Sequence, residues 1–444
     1  MKRSVVRKKN RMRLSPFKTV SRTLLIAAML LMALGANSSD QIAIEIPDIS
    51  QRINSFTMDL LKQYAGATNL PSNTILSPQS IFHGMAMSYV ASGGDTRNEL
   101  AKVFHFPKDN DALLKGLAGL RQQLHKAGDH KHIDVTLANS AWLDETYADY
   151  RMEYVKEIQN TFEASLHRVE FKQKVRVSED INKWVSEKTR GKIQKSVYPS
   201  DFKSRSRPGI IDEPALVNVN AVYFKADWAS RFDKDSTSKR AFNIDESTTV
   251  EIPMMHQISV LPYSENEKLQ FLELPYIGNH YSMYVILPKE LIGIQEIIQS
   301  VTIEQIVDLK QRAFSHEVDV LLPKFEMMSN LGVRKFLSAM GVKSAFSNQK
   351  ADFDKMIIKK YEAFRIYISE IYHDVWIDVH EEGTEAAAAT STIHFSFGCS
   401  AAVQPMPVDF HADHPYLFMI VHNDSLSILF AGWMSNPEKT IQPG

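Results

Sequence analysis

Cysteine is almost missing from this 444-residue chain: Cys399 stands alone, so no intrachain disulfide can form and stability must come from a large packed core. The charges nearly cancel to a formal −1, but they are unevenly placed. The first 22 residues carry nine bases and no acid, and without those nine the chain holds 42 basic against 52 acidic residues. That acidic balance excludes a general nucleic-acid binder. The apolar run from Leu24 to Leu34 is too short for a comfortable membrane span. No internal repeat is visible, and no composition break inside residues 45–437 marks a domain boundary. Arg and Lys are absent between Glu381 and Phe410. What is present, 44% apolar and 23% charged residues, is enough for a sizeable core and is unlike a disordered protein.

The basic stretch from Lys2 to Arg22 followed by the short apolar run reads as a secretory signal peptide, residues 1–36, with small-residue cleavage positions at Ala33, Gly35 and Ala36. An uncleaved anchor and an Arg-rich mitochondrial leader are the rival readings. Asn37-Ser38-Ser39 and Asn423-Asp424-Ser425 are glycosylation sequons that matter only in a eukaryotic secretory route. The expected location is extracellular, or periplasmic in a bacterium.

Hydrophobic periodicity sets out the rest. Ile53, Phe56, Leu60, Leu61 and Tyr64 recur at helical spacing and end near Gly66. Ser77 or Ser80 can cap a second helix running through Met85 and Val90 to Gly93-Gly94, and further helical patterns cover roughly 95–127 and 147–165. Strand patterns occupy Ile133–Leu143, Leu216–Phe224, Leu269–Leu274, Tyr281–Leu287 and Val318–Leu322. The pair Tyr416–Val421 and Leu426–Phe430 reads as a hairpin. Helices dominate the first half and strands the second, which implies an α+β fold. Tyr198–Asp212, with bases among serines and prolines, reads as an exposed loop insertion.

Residues 381–390, Glu-Glu-Gly-Thr-Glu-Ala-Ala-Ala-Ala-Thr, follow the strand-like run Val375–His380 yet hold almost nothing that could fill a core. Small alanines could enter a crowded sheet as a strand without overpacking it. Gly383 supplies a hinge. By the two-residue period Thr384, Ala386, Ala388 and Thr390 face one side, with Glu385, Ala387 and Ala389 on the other. Read alone, the alanine-rich stretch is more often a solvated linker.

Several blocks now bear on that choice. Asn73–Thr96, Leu137-Ala-Asn-Ser-Ala-Trp-Leu143, Ile181–Ile193, Val217–Lys225 with Trp228 and Phe232, Glu273-Leu-Pro-Tyr276, Leu322-Pro-Lys-Phe325 and Phe410–Tyr416 together resemble the serpin family in their order, from about Asn54 to Pro437. The resemblance implies one α+β domain, residues 37–444, of three sheets and about nine helices with an exposed reactive loop at about 381–410. Glu381, Glu382, Gly383, Thr384, Glu385, Ala386, Ala387, Ala388, Ala389 and Thr390 then correspond to the loop hinge. A target protease attacks the loop and forms an acyl-enzyme, and the hinge inserts as an extra strand into the central sheet. Gly383 and Phe397 are fourteen positions apart, so at about 3.3 Å per strand residue insertion carries the protease roughly 45 Å.

The same resemblance implies a shutter cluster at Ser77, Ser80, Asn220 and His373, and a breach at Trp228, Lys324 and Glu381 where the lysine and glutamate pair. Counting from the hinge places Phe397 before the scissile bond and Gly398 after it, with Phe395 a secondary candidate and bonds at Ser396 or Cys399 next. An aromatic there suits chymotrypsin-like proteases, and the lack of Arg and Lys disfavours trypsin-like ones. Three departures stand out: Asp374 replaces a commonly basic residue, Ala226 replaces a common glycine, and Gly398–Phe410 is several residues longer than usual.

Other signals are weaker. Cys399 has no implied base and is not read as a nucleophile. His411 and His414 with Asp413 fall in a block of the family and are read as structural, so no metal or other cofactor is expected. Lys115, Arg121, His125, Lys126, His130, Lys131 and His132 lie near a polyanion-binding position of some serpins, but interrupting leucines and glycines favour a solvated face. The expected function is a secreted, monomeric suicide inhibitor of chymotrypsin-like serine proteases with cysteine proteases as cross-targets, not an enzyme. A non-inhibitory ligand carrier or chaperone on the same scaffold is the alternative.

Overall fold

Alternation along the strand Leu216–Asp227 organises the molecule. Val217, Val219, Ala221 and Tyr223 enter one hydrophobic core, while Leu216, Val222, Phe224 and Ala226 enter another, so the strand is buried on both faces as a central strand must be. Each fully buried valine or phenylalanine contributes about 1.5–3 kcal/mol relative to exposure.

The computed structural model describes residues 47–67, 73–128, 132–202, 214–362, 364–384 and 406–439. Its first half comprises α1 (Asp48–Ala65), β1 (Thr74–Leu76), α2 (Pro78–Val90), α3 (Gly94–Val103), α4 (Asn110–Gly128), β2 (Ile133–Asp144), β3 (Ala148–Tyr150), α5 (Met152–Phe162), β4 (Ser165–Val169), α6 (Lys174–Lys188) and β5 (Leu216–Asp227). Next come β6 (Ser238–Asp245), β7 (Thr248–Glu265), β8 (Leu269–Pro275), β9 (Tyr281–Pro288), α7 (Ile294–Ser300), α8 (Ile303–Arg312), β10 (Phe314–Pro323), β11 (Phe325–Gly332) and α9 (Arg334–Met340). The last are β12 (Ile357–Lys359), β13 (Ile368–His380), β14 (Gly383–Thr384), β15 (Val408–His411), β16 (Tyr416–His422) and β17 (Ser427–Met434). Among the described residues there are thus nine α-helices and three sheets, an α+β architecture.

The central sheet runs β11-β13-β5-β2-β4, and β14 is wedged between β13 and β5 at one end. One face packs on α6 through Val177, Ile181 and Trp184; α2 lies against the other. Gly84 of α2 permits that approach, because a Cβ there would lie 2.6 Å from the Asn220 amide nitrogen. The larger sheet runs β1-β17-β16-β9-β8-β7-β10-β15, with β6 paired to β7, and the third is the β3–β12 pair.

The observed elements depart from the sequence pattern where tertiary forces intervene. The pattern over 95–127 splits into α3 and α4, separated by a segment containing Pro107, which cannot donate a helical hydrogen bond. The pattern over 147–165 begins as strand β3, because Ala148–Tyr150 pairs with Ile357–Lys359. Helix α2 ends at Val90, before the glycine pair. Strands β6, β7 and β11 and helices α7, α8 and α9 were not anticipated. Among the described residues, no helix is long and apolar enough to cross a membrane. The leader, residues 1–36, lies outside the described residues.

Candidate functional site

Strands β5 and β13 run parallel and pair from Leu216 opposite Ile368 to Tyr223 opposite Trp376. Above Trp376 they diverge and the first residues of the hinge fill the gap. Thr384 pairs with Val379 on one side and Ala226 on the other, and Gly383 with His380 and Asp227. Gly383 has φ +156°, and a Cβ there would lie 2.2 Å from the Ala226 carbonyl oxygen and 2.6 Å from the Asp227 Cα. Only glycine fits. Thr384 is fully buried, and its hydroxyl lies 2.9 Å from that of Tyr276.

Trp228 roofs this gap. Its ring stacks on Tyr276 at 4.5 Å and 11°, its indole N–H donates to the His380 carbonyl at 2.9 Å, and its backbone N–H donates to the Glu382 carbonyl. Beside it Lys324 Nζ donates to Glu381 Oε2 at 2.9 Å, and the Thr237 hydroxyl donates to Oε1 at 2.9 Å. The Glu381 side chain is only 5% exposed, against 45% for Lys324. Burial alone would raise its pKa, but the hydrogen bonds from Lys324 and Thr237 and the lysine charge hold it below the ordinary glutamate value. Glu382 is paired with Lys234 at 2.7 Å. The Lys324–Glu381 pair thus coexists with two hinge residues already in the sheet.

Lower down, polar groups line the seam. The Ser77 side chain caps α2 by accepting from Ser80 N–H at 3.3 Å, as Pro78 starts the helix. The Ser77 backbone N–H donates to His373 Nε2 at 2.9 Å, and its hydroxyl donates to the Leu429 carbonyl. Asn220, opposite His373 in the register, donates to Asn139 Oδ1, which also accepts from the Ser80 hydroxyl. The fully buried imidazole of His373 is pushed down to about 3 by desolvation and is neutral at physiological pH. The structure therefore brings Ser77, Ser80, Asn220 and His373 into one cluster. Asn139 belongs to it and was missed, because a strand asparagine gives no local signal of a partner 59 or 81 residues away.

A second buried group sits on the opposite face of β13. Asp374 is fully buried and accepts from Ser196 Oγ and Asn330 Nδ2. Desolvation pushes its carboxyl up to about 7. Ala226 is fully buried and pairs with Thr384 in the β5–β14 register.

Glu385, Ala386, Ala387, Ala388, Ala389 and Thr390, and also Phe395, Ser396, Phe397, Gly398 and Cys399, lie outside the described residues, as does Asn37. Asn423 donates through its amide to the Asn279 carbonyl and the Ser282 hydroxyl, each at 2.9 Å, so its sequon nitrogen is engaged. On α4, Arg121 and His125 face Glu163, and His132 pairs with Asp227 at 2.8 Å, which spends part of the suspected basic surface locally. His414 bonds Asp413 and the Pro288 carbonyl, a structural arrangement.

The family model of serpins, serine protease inhibitors, matches residues 51–437. The chain belongs to the serpin family. A serpin-like protein of Methanosarcina acetivorans is 33% identical over 398 residues, covering 89% of this chain and 88% of that protein. The human leukocyte elastase inhibitor is 34% identical over 403 residues, covering 88% of this chain and 99% of its own length. Among solved structures, a highly specific serpin of the insect Tenebrio molitor superposes with a TM-score of 0.75 at 27% identity, covering 90% of this serpin and all of that chain. The thermophilic serpin tengpin gives 0.74 at 26%, covering 90% and 95%. Serpins are protease inhibitors and not catalytic enzymes.

Proposed function

We propose that this serpin is a suicide inhibitor that traps its protease by inserting residues 383 onward between β5 and β13. The supporting observation is the entry of Gly383 and Thr384 into that gap, with a glycine where no Cβ fits and a small buried threonine after it. The alanines that follow in the sequence could continue the strand without overpacking. In the proposed chemistry the protease serine attacks the Phe397 carbonyl, the Phe397–Gly398 bond breaks, and the Gly398 amine leaves with the proton delivered by the protease base. Phe397 remains as an ester. Strand insertion then carries that ester away before water hydrolyses it.

Phe397 and the lack of Arg and Lys in the loop favour chymotrypsin-like serine proteases, with cysteine proteases as secondary targets through a thioester. Likeness to leukocyte elastase inhibitors supports a serine protease partner. The proposed form is a monomer secreted after removal of residues 1–36, which N-terminal sequencing of the mature protein tests. Incubation with chymotrypsin should give an SDS-resistant adduct and release a peptide beginning at Gly398. Cleavage without adduct across serine and cysteine proteases would instead favour a carrier or chaperone.

A further inference from the structure

Two carboxylates and an imidazole converge where the chain rejoins the body after the loop. Strand β15 forms one edge of the larger sheet and pairs in parallel with β10 alone, placing Asp409 opposite Asp319 and His411 opposite Leu321. On the far side of β10, β7 places His256 opposite Leu321. All four polar side chains therefore share one face by the two-residue period. The ligand atoms of Asp319, Asp409 and His411 lie within 4.8 Å of one another, and His411 Nε2 is 3.7 Å from Asp319 Oδ1. That nitrogen is buried and has no hydrogen-bond partner among the described residues. Like charges directly opposite on neighbouring strands repel, which a cation between Asp319 and Asp409 would relieve, although His256 already offsets Asp319 and Asp409 is exposed.

We propose that Asp319, Asp409 and His411 bind one divalent transition-metal ion of the zinc class. Two carboxylate oxygens and one imidazole nitrogen, with water completing a tetrahedron, suit zinc; the imidazole argues against calcium or magnesium, which take oxygen. Ligand atoms must draw in from separations of up to 4.8 Å until each lies about 2.0–2.2 Å from the ion. His256 is the positioning residue: its Nε2–H donates to Asp319 Oδ1 at 2.9 Å and orients that carboxylate. The Gln270 amide steadies the same strand by donating to the Asp409 carbonyl at 2.9 Å. The ion would cross-link β15 to β10, adding to a four-residue ladder that has hydrogen bonds on one side only. It would resist peeling of the strand that anchors the loop. This assignment uses neither His414 nor Asp413, and it revises the purely structural reading of His411.

Titration of the metal-stripped full chain with Co²⁺ tests the site, because a tetrahedral Co²⁺ centre absorbs in the visible. One equivalent should bind, zinc should displace it, and zinc should raise the thermal unfolding temperature. Asp409→Asn and His411→Gln should each abolish the absorption band, and His256→Gln should weaken binding by about 10–100-fold. His125→Gln, on α4, should retain it. Circular dichroism checks that each variant is folded. A chain that binds no Co²⁺, or one whose band persists in both Asp409→Asn and His411→Gln, overturns the proposal. Neither readout depends on protease inhibition.

Discussion

The Thr384 hydroxyl lies 2.9 Å from the Tyr276 hydroxyl, and both side chains are fully buried beneath Trp228. A residue that belongs by sequence to the reactive loop is thus held by the body at the point where β5 and β13 part. Gly383 and Thr384 are thereby fixed between the two strands.

Thr384→Arg would place a charge in that site. An unpaired buried charge costs several kcal/mol, and each 1.4 kcal/mol added to the insertion barrier slows it about tenfold. The variant should still be cut by the target protease but form at least about tenfold less adduct per cleavage, read by gel densitometry. Equal adduct yield would place Thr384 outside the insertion path.

Gly383→Ala should expel the two hinge residues from the sheet, since the new methyl meets the Ala226 carbonyl in a backbone conformation unfavourable to other residues. Trp228 would lose the Glu382 contact, so its fluorescence should shift while the core unfolds at nearly the same temperature. An unchanged spectrum would contradict the wedged geometry.

Lys324→Met removes the ammonium from a buried carboxylate that keeps its own backbone N–H and the Thr237 hydroxyl. Because Lys324 is half exposed, the expected loss is about 1–2 kcal/mol, less than for a fully buried pair. The Glu381 pKa is depressed, so its stabilisation is present above the ordinary glutamate value and disappears as pH falls through the lowered one. Unfolding rates measured against pH should show this acid sensitivity in the parent and much less in Lys324→Met.

Asp374 has the opposite sign. Its pKa rises from the ordinary 3.8 to about 7, so the folded chain binds a proton that the unfolded chain has released. Stability is fully present below about pH 4 and is lost as pH rises through about 7, with a slope approaching 1.4 kcal/mol per unit. Asp374→Asn can keep both partners, its oxygen accepting from Asn330 and its amide donating to the Ser196 hydroxyl in place of the present reverse bond, and should remove this dependence between about pH 4 and 7. A slope unchanged in the variant would assign it to another group.

These particulars also mark what could be read from the chain. The hinge came from the family resemblance and not from the small side chains of residues 383–390, of which only Gly383 and Thr384 are described; Ser77 was legible because a serine before Pro78 has the local form of a cap. The Asp374 group was not, since its partners Ser196 and Asn330 lie 178 and 44 residues away. Strand β7 was hidden by Pro253 and Pro262 and by the exposed apolar residues Ile258 and Val260, which break the simple alternation. Its pairing with β10 supplies the missing order.

Thermal unfolding of the intact and loop-cleaved chain tests insertion most directly. About ten newly paired strand residues at roughly 1 kcal/mol each, in a chain of this size, should raise the unfolding temperature by about 10 °C after a single cut in the loop. An unfolding temperature unchanged by that cut would contradict the account.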